Sequence, residues 1–321
     1  MNTFSVVSTL SIKNWNEYGE KMISSFEKYW PADIQMYCYF EGKIPELKTN
    51  RVNFIDYHKA IPEHKIFKKR NLHRHKDINN FKAEKVDFQA IKFSYKVYAQ
   101  LKELENPKTK YIIYLDGDNL TKKKISHDLL QNLVEDDIYL SFLNRMPYKY
   151  TESGFIIWNT QNIHHKLWCQ NYRNMYDKDM IFNYEAWHDC IAFDEVTFPM
   201  IRNKLIKCID LSYGQLNDHP LSSGPLRNYF DHLKGIRRKK IGYSNKRSFN
   251  LTKKFIKKYF HKKNTIKEII ILNFFLIFLI STDVSFIFLS LFVAVFLLIS
   301  LLVFNKNHFK KNQLKEKVFI S

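Results

Sequence analysis

Lys110-Tyr111-Ile112-Ile113-Tyr114-Leu115-Asp116-Gly117-Asp118-Asn119 reads as a strand that stops at a pair of carboxylates. The unbroken apolar and aromatic run from Tyr111 to Leu115 suits a strand buried on both faces of a sheet. Asp116 and Asp118 then sit at its C-terminal end, where open α/β sheets place their ligands. Gly117 permits a turn tight enough for both acids to address one point. Hard divalent cations take oxygen ligands, and Mg²⁺ or Mn²⁺ is commonly held by one or two carboxylates together with substrate phosphates. The plainer reading is a solvated turn, since Asp and Gly are ordinary turn residues. The buried strand in front and the motifs downstream favour a metal-bound, phosphate-bearing substrate.

Upstream, Phe4 to Leu10 predicts a first strand. Trp15, Tyr18, Met22, Phe26 and Tyr29 recur three or four apart and predict an amphipathic helix over Trp15 to Tyr29. Ile34 to Phe40 and Val52 to Tyr57 are two further strands. This opening predicts a doubly wound, Rossmann-like α/β fold, a mostly parallel sheet flanked by helices. His58 to Lys85 is polar, basic and weakly periodic, and reads as a functional loop or lid, or as a solvated insertion. Val86, Ala90, Phe93, Val97 and Leu101 form a helical stripe, with Lys92 and Lys96 one turn apart on another face. Downstream, helices are expected over Ile125 to Val134, over Thr160 to Tyr176 and from Tyr184 to Phe193 onward. Strands are expected at Ile138 to Leu143, Leu205 to Leu211 and Phe155 to Trp158, the last entered through Glu152-Ser153-Gly154.

The 321 residues carry 51 Lys and Arg against 32 Asp and Glu, a formal net charge of +19. Such a balance suits nucleic acid, an anionic membrane surface or phosphorylated substrates. The basic residues cluster in a loop, a neck and a tail rather than alternating with aromatics along one stripe, which argues against nucleic acid. Cys38, Cys169, Cys190 and Cys208 lie far apart with no paired metal spacing, and Met1 to Leu10 has no basic leader followed by an apolar core. A cytosol-facing protein with reduced thiols is therefore expected.

The C-terminal part changes character. Residues 1–250 predict a globular domain, 251–268 a basic neck, 269–304 a membrane segment and 305–321 a basic cytoplasmic tail. Val284 to Phe304 gives 21 residues without a charge, enough to span a bilayer. Lysines flank the apolar run on both sides, which favours a helical hairpin turning near Thr282-Asp283 over a single span. The neck is expected to press on anionic headgroups.

His232 precedes Leu233-Lys234-Gly235-Ile236-Arg237-Arg238-Lys239-Lys240. A neutral imidazole can complete a metal site begun by two carboxylates, and the cationic loop can grip a diphosphate. A basic linker approaching the membrane is the alternative. Taken with Tyr114-Leu115-Asp116-Gly117-Asp118 and with Glu152-Ser153-Gly154-Phe155-Ile156-Ile157-Trp158-Asn159, this loop resembles the marker segments of GT-A fold glycosyltransferases. The likeness is to the family-8 type that includes lipopolysaccharide glycosyltransferases and glycogenin. It covers residues 1 to about 245 in order, with the specificity in three short motifs.

The resemblance implies a metal-dependent transferase of the hexosyltransferase class, with Mn²⁺ or Mg²⁺ held by Asp116, Asp118 and His232. It implies a nucleotide-sugar donor, a UDP-sugar foremost, and a surface-glycan or lipid-linked acceptor at the membrane. Ser8 and Thr9 would face the nucleotide, and Lys92 would reach the donor phosphate or sugar. Ser153 and Gly154 would shape the sugar pocket, while Lys234, Gly235 and Arg238 would meet the diphosphate. Asp189 is the candidate acceptor-side acid, a general base if the reaction inverts and a stabiliser of the oxocarbenium-like centre if it retains. Glu152 competes with it. Trp187 could stack on a sugar face. The chain departs from the family at Glu152, where Asn is usual, and at Arg238, where Lys is expected. Two other classes fit less of the sequence. The charge motivates a non-catalytic basic membrane-anchored binding module for nucleic acid or anionic glycan, but the basic residues do not form one aromatic-interleaved stripe, and a nucleotidyltransferase has no natural role for the late His-Leu-Lys-Gly segment.

Overall fold

Tyr111–Leu115 is a strand, and its side chains alternate between two hydrophobic layers. In a computed structural model, Tyr111, Ile113 and Leu115 pack into one layer and Ile112 and Tyr114 into the other. The structure describes residues 3–47, 49–78, 86–146, 149–213 and 219–235. Nine strands lie among them: β1 (Phe4–Ser11), β2 (Gln35–Glu41), β3 (Val52–Asp56), β4 (Tyr111–Leu115), β5 (Asn119–Thr121), β6 (Leu140–Leu143), β7 (Glu152–Asn159), β8 (Cys208–Asp210) and β9 (Phe230–His232). Seven form one sheet in the order β3-β2-β1-β4-β7-β6-β8, and β5 pairs with β9 in a small second sheet. β1 to β4 run parallel, β7 runs antiparallel to its neighbours β4 and β6, and β8 is parallel to β6. The expected mixed α/β architecture with a mostly parallel sheet is therefore present.

One layer is built by the helix Glu20–Tyr29, through Met22, Ile23 and Phe26. The other is built by the helices Ala90–Glu105, His165–Asp177 and Asp189–Arg202. The expected helix over Trp15 to Tyr29 begins instead with a π-helical turn, Trp15–Gly19, before the α-helix. The expected helix from Thr160 starts only at His165, because the Thr160 hydroxyl donates to the carbonyls of Thr109 and Lys110 and holds the chain beside the sheet. The helix expected from Tyr184 starts at Asp189, where the His188 side chain accepts the Ile191 amide and caps it.

The segment expected to be a loop or lid contains a helix, His64–Ile78. Its inward residues are His64, Phe67 and Asn71. His64 Nε2 hydrogen-bonds Ser94 Oγ at 2.8 Å, Asn71 donates to Asp179 at 2.7 Å, and Phe67 packs on Tyr98, Tyr176 and Phe182. Two of the three inward residues are polar, so hydropathy shows no helical stripe. The neck, membrane segment and tail expected at 251–321 lie outside the described residues. Among the described residues no helix is long and apolar enough to cross a membrane.

Asp194, on the helix Asp189–Arg202, ties that helix to the entry of β7. Its Oδ2 accepts the Thr151 amide at 2.9 Å, and the residue is 4% exposed. Burial pushes its carboxyl up to about 7. The folded chain thus keeps a proton that the unfolded chain releases near pH 4. Stability falls as pH rises through the interval between these values and stays lowered above it. Asp194→Asn retains an acceptor for Thr151 and removes the ionisation. The variant is expected to gain on the order of 1–3 kcal/mol at pH 8 and much less at pH 5. Urea denaturation at both pH values checks this, and equal midpoints for variant and parent at pH 8 would contradict it.

Candidate active site

Strand pairing builds the site. β4 and β7 pair antiparallel with Leu115 opposite Phe155, and the Asp116 amide donates to the Gly154 carbonyl at 3.0 Å. The end of β4 therefore meets the start of β7, and Asp116 lies beside Glu152-Ser153-Gly154. Asn119 pairs with His232 across β5 and β9, and the Leu233 amide donates to the Asp118 carbonyl at 2.9 Å. Asn119 also donates its side-chain amide to the Gly154 carbonyl at 2.7 Å, which ties both pieces together.

One ligand atom each from Asp116, Asp118 and His232 lies within 4.8 Å of the others, with His232 Nε2 3.1 Å from Asp118 Oδ1. Two hard carboxylates and an imidazole suit Mn²⁺ or Mg²⁺. Gly154 keeps the space beside them open. A Cβ there would stand 3.0 Å from Asp116 Oδ2 and 3.3 Å from His232 Cε1. The residues therefore fit a divalent ion. Gly154→Ala is expected to weaken Mn²⁺ binding about tenfold by displacing these ligands; calorimetric titration with Mn²⁺ decides, and unchanged affinity would show the space is not needed. Glu152 and His219 form a second potential ligand set with His232. Glu152, however, is already bound by Lys234 and Arg145.

Three cations, Lys96, Lys234 and Arg145, sit against three carboxylates, Asp116, Asp189 and Glu152. Lys96 Nζ is 3.0 Å from Asp116 Oδ1 and 2.8 Å from Asp189 Oδ2, and it donates to Ser153 Oγ at 3.0 Å. Ser153 in turn donates to Asp189 Oδ2 at 2.5 Å. Lys234 Nζ is 2.8 Å from Glu152 Oε2, and Arg145 Nη1 is 3.6 Å from the same oxygen. Burial raises the Asp116 carboxyl above its ordinary value, with Lys96 opposing and Asp118 reinforcing. Burial also works against the charged form of His232, but the Asp118 charge outweighs it and the imidazole is raised. Asp189 and Glu152 are buried, yet Lys96 and Ser153 hold the first, and Lys234, His232 and Arg145 the second, below the usual carboxylate range.

The structure brings together Asp116, Asp118, Glu152, Ser153, Gly154, Asp189, His232 and Lys234. Gly235 follows in the left-handed region, at φ 91°, where glycine is favoured. Gly117 is not in that region; a side chain there would meet Leu10 Cδ2 at 2.5 Å and Thr9 O at 3.1 Å, so close approach rather than a special turn requires glycine. Ser8 is fully buried and its hydroxyl donates to the Leu115 carbonyl at 2.7 Å, so it joins two strands instead of facing a ligand. Thr9 is half-buried, its hydroxyl 3.2 Å from that of Tyr114. Lys92 is exposed with its ammonium over the Phe93 ring, and it is Lys96 that turns to Asp116. Trp187 packs edge-on against Phe88 and Phe182. Arg238 lies outside the described residues. The sequence reading missed Lys96, Arg145 and Asn119 as parts of the site. Lys96 had a signal: a lysine beside Val97 in a buried stripe needs a carboxylate partner.

No protein-family model matches the chain, and no curated protein matches it. Among solved structures it is similar to mouse xyloside xylosyltransferase 1, at 12% identity and a TM-score of 0.43, over 65% of this chain and 85% of that one. It is also similar to the bifunctional glycosyltransferase WbbM, at 11% identity and 0.42, over 65% of this chain and 39% of that one. A third similarity is to the glycosyltransferase GlyE of Streptococcus pneumoniae TIGR4, at 12% identity and 0.38, over 66% and 46%. The chain thus spans less than half the length of the last two.

Proposed function

We propose that this chain is a divalent-metal-dependent glycosyltransferase that moves a sugar from a nucleotide-sugar donor, a UDP-sugar foremost, to a glycan or lipid-linked acceptor at a membrane. The observation that carries this reading is the convergence of Asp116, Asp118 and His232 within 4.8 Å, from the end of β4 and from β9. A divalent ion held there supplies Lewis-acid neutralisation of a diphosphate leaving group. Lys234, at the mouth of the glycine turn, adds a donor for the same phosphates. Glu152 holds Lys234 in place and is a positioning residue.

The two acids expected to act at the sugar are both ionised and paired with cations. A general base works best with a pKa near the operating pH, and neither Asp189 nor Glu152 is so poised. A fixed carboxylate instead stabilises developing positive charge. The pairing of Asp189 with Lys96 and Ser153 suits a fixed charged group beside the sugar better than a general base.

The test is release of nucleotide from a panel of nucleotide sugars by the full chain, with and without Mn²⁺. Metal-dependent turnover of one donor is expected. No release from any donor, together with no metal-dependent nucleotide binding, would replace this reading with that of a basic binding module.

A further inference from the structure

The helix His64–Ile78 presents an outer face that the proposed chemistry does not use. At 100° per residue, Leu72, Lys65, Lys69, His73 and Ile66 fall on one side, within about a third of the circumference. All five are exposed, Ile66 by 65% and Leu72 by 46%. Among the described side chains, the other cations of this helix are engaged by the protein. Arg70 pairs with Asp179 at 2.7 Å, Lys68 donates to the Tyr95 hydroxyl at 3.0 Å, and Arg74 lies over the Phe182 ring. The stretch from His64 to Arg74 holds no Asp or Glu. Over His64–Arg74 the outer face thus carries Lys65 and Lys69 with no acidic residue, and a large aliphatic side chain stands at each edge. Against water that exposure of Ile66 and Leu72 is unfavourable. Against a lipid headgroup layer it is not, because aliphatic tips enter the acyl boundary while lysines stay among the phosphates.

We infer that this face docks on an anionic bilayer surface. Charge complementarity selects the partner, since lysines close to an anionic leaflet are attracted individually. The aliphatic pair distinguishes a lipid surface from a soluble polyanion, which has no use for Ile66 and Leu72. The inference does not depend on the glycosyl-transfer reading. It also rests on residues other than those of the basic neck at 251–268.

Lysine acetylation by a small reagent, read by mass spectrometry, tests this on the full chain. The probes are vesicles of phosphatidylcholine alone and vesicles with a phosphatidylglycerol fraction. Lys28 serves as the reference, because it is exposed on the helix Glu20–Tyr29, which packs on the opposite face of the sheet. Lys65 and Lys69 are expected to acetylate about fivefold more slowly on the anionic vesicles than on the neutral ones, with Lys28 unchanged. The double variant Ile66→Ser/Leu72→Ser should lose most of that protection while keeping both charges. Equal rates on the two vesicle types would overturn the inference. Protection by heparin with none from vesicles would also overturn it, and so would full protection in the double variant.

Discussion

If the chain turns over a nucleotide sugar as proposed, Asp118→Ala is expected to lower that metal-dependent turnover by about 10³-fold or more. Asp118 belongs to the candidate ion site and stands 3.1 Å from His232 Nε2, so its loss would remove one proposed ligand and release another. Lewis-acid stabilisation is worth several kcal/mol, and each 1.4 kcal/mol is a factor of ten in rate. The fold should survive, because the substitution relieves repulsion on Asp116, which Asp118 helps to raise. Steady-state kinetics with the preferred donor, beside a circular dichroism spectrum, measures both parts. A folded variant that keeps more than a tenth of parental activity would show that the acid pair does not hold the working ion.

Lys96→Met is expected to cost about 3–5 kcal/mol of stability, the range for breaking a buried ion pair by removing one partner. Lys96 is 8% exposed and is the cation shared by Asp116 and Asp189. Without it two carboxylates stand uncompensated beside Ser153. A double variant, Lys96→Met/Asp189→Asn, should recover part of the loss, since one charge is then gone. Urea denaturation of the parent and both variants measures this. A Lys96→Met protein as stable as the parent would mean that Lys96 is incidental to the cluster.

Much of the sheet was legible because β4 and β1 announce themselves by composition. Tyr111 to Leu115 is apolar without interruption, and only a strand covered on both faces tolerates that. The acid pair followed from its place at the strand end. His232 was legible through the Gly235 turn and the basic residues behind it. What the sequence concealed has identifiable causes. The helix at His64–Ile78 turns His64 and Asn71 inward, so hydropathy reports a loop where hydrogen bonds make a helix. Lys92 and Lys96 share a face, and only packing decides that Lys96 turns to Asp116 while Lys92 stays outside. Ser8 looked available at a strand end, but the parallel partner β4 offers it the Leu115 carbonyl. Arg145 could not be read from a motif at all. It reaches Glu152 because its guanidinium is anchored on the carbonyls of Tyr150 and Thr151.

The central claim is that Asp116, Asp118 and His232 hold one divalent ion. Titration of Mn²⁺ into the full chain with a nucleoside diphosphate present, followed by electron paramagnetic resonance, tests it most directly. One bound Mn²⁺ per chain is predicted, weakened at least about tenfold by either Asp118→Ala or His232→Ala and left near the parental value by His219→Ala. Parental Mn²⁺ affinity in Asp118→Ala, or loss of the ion in His219→Ala, would contradict it.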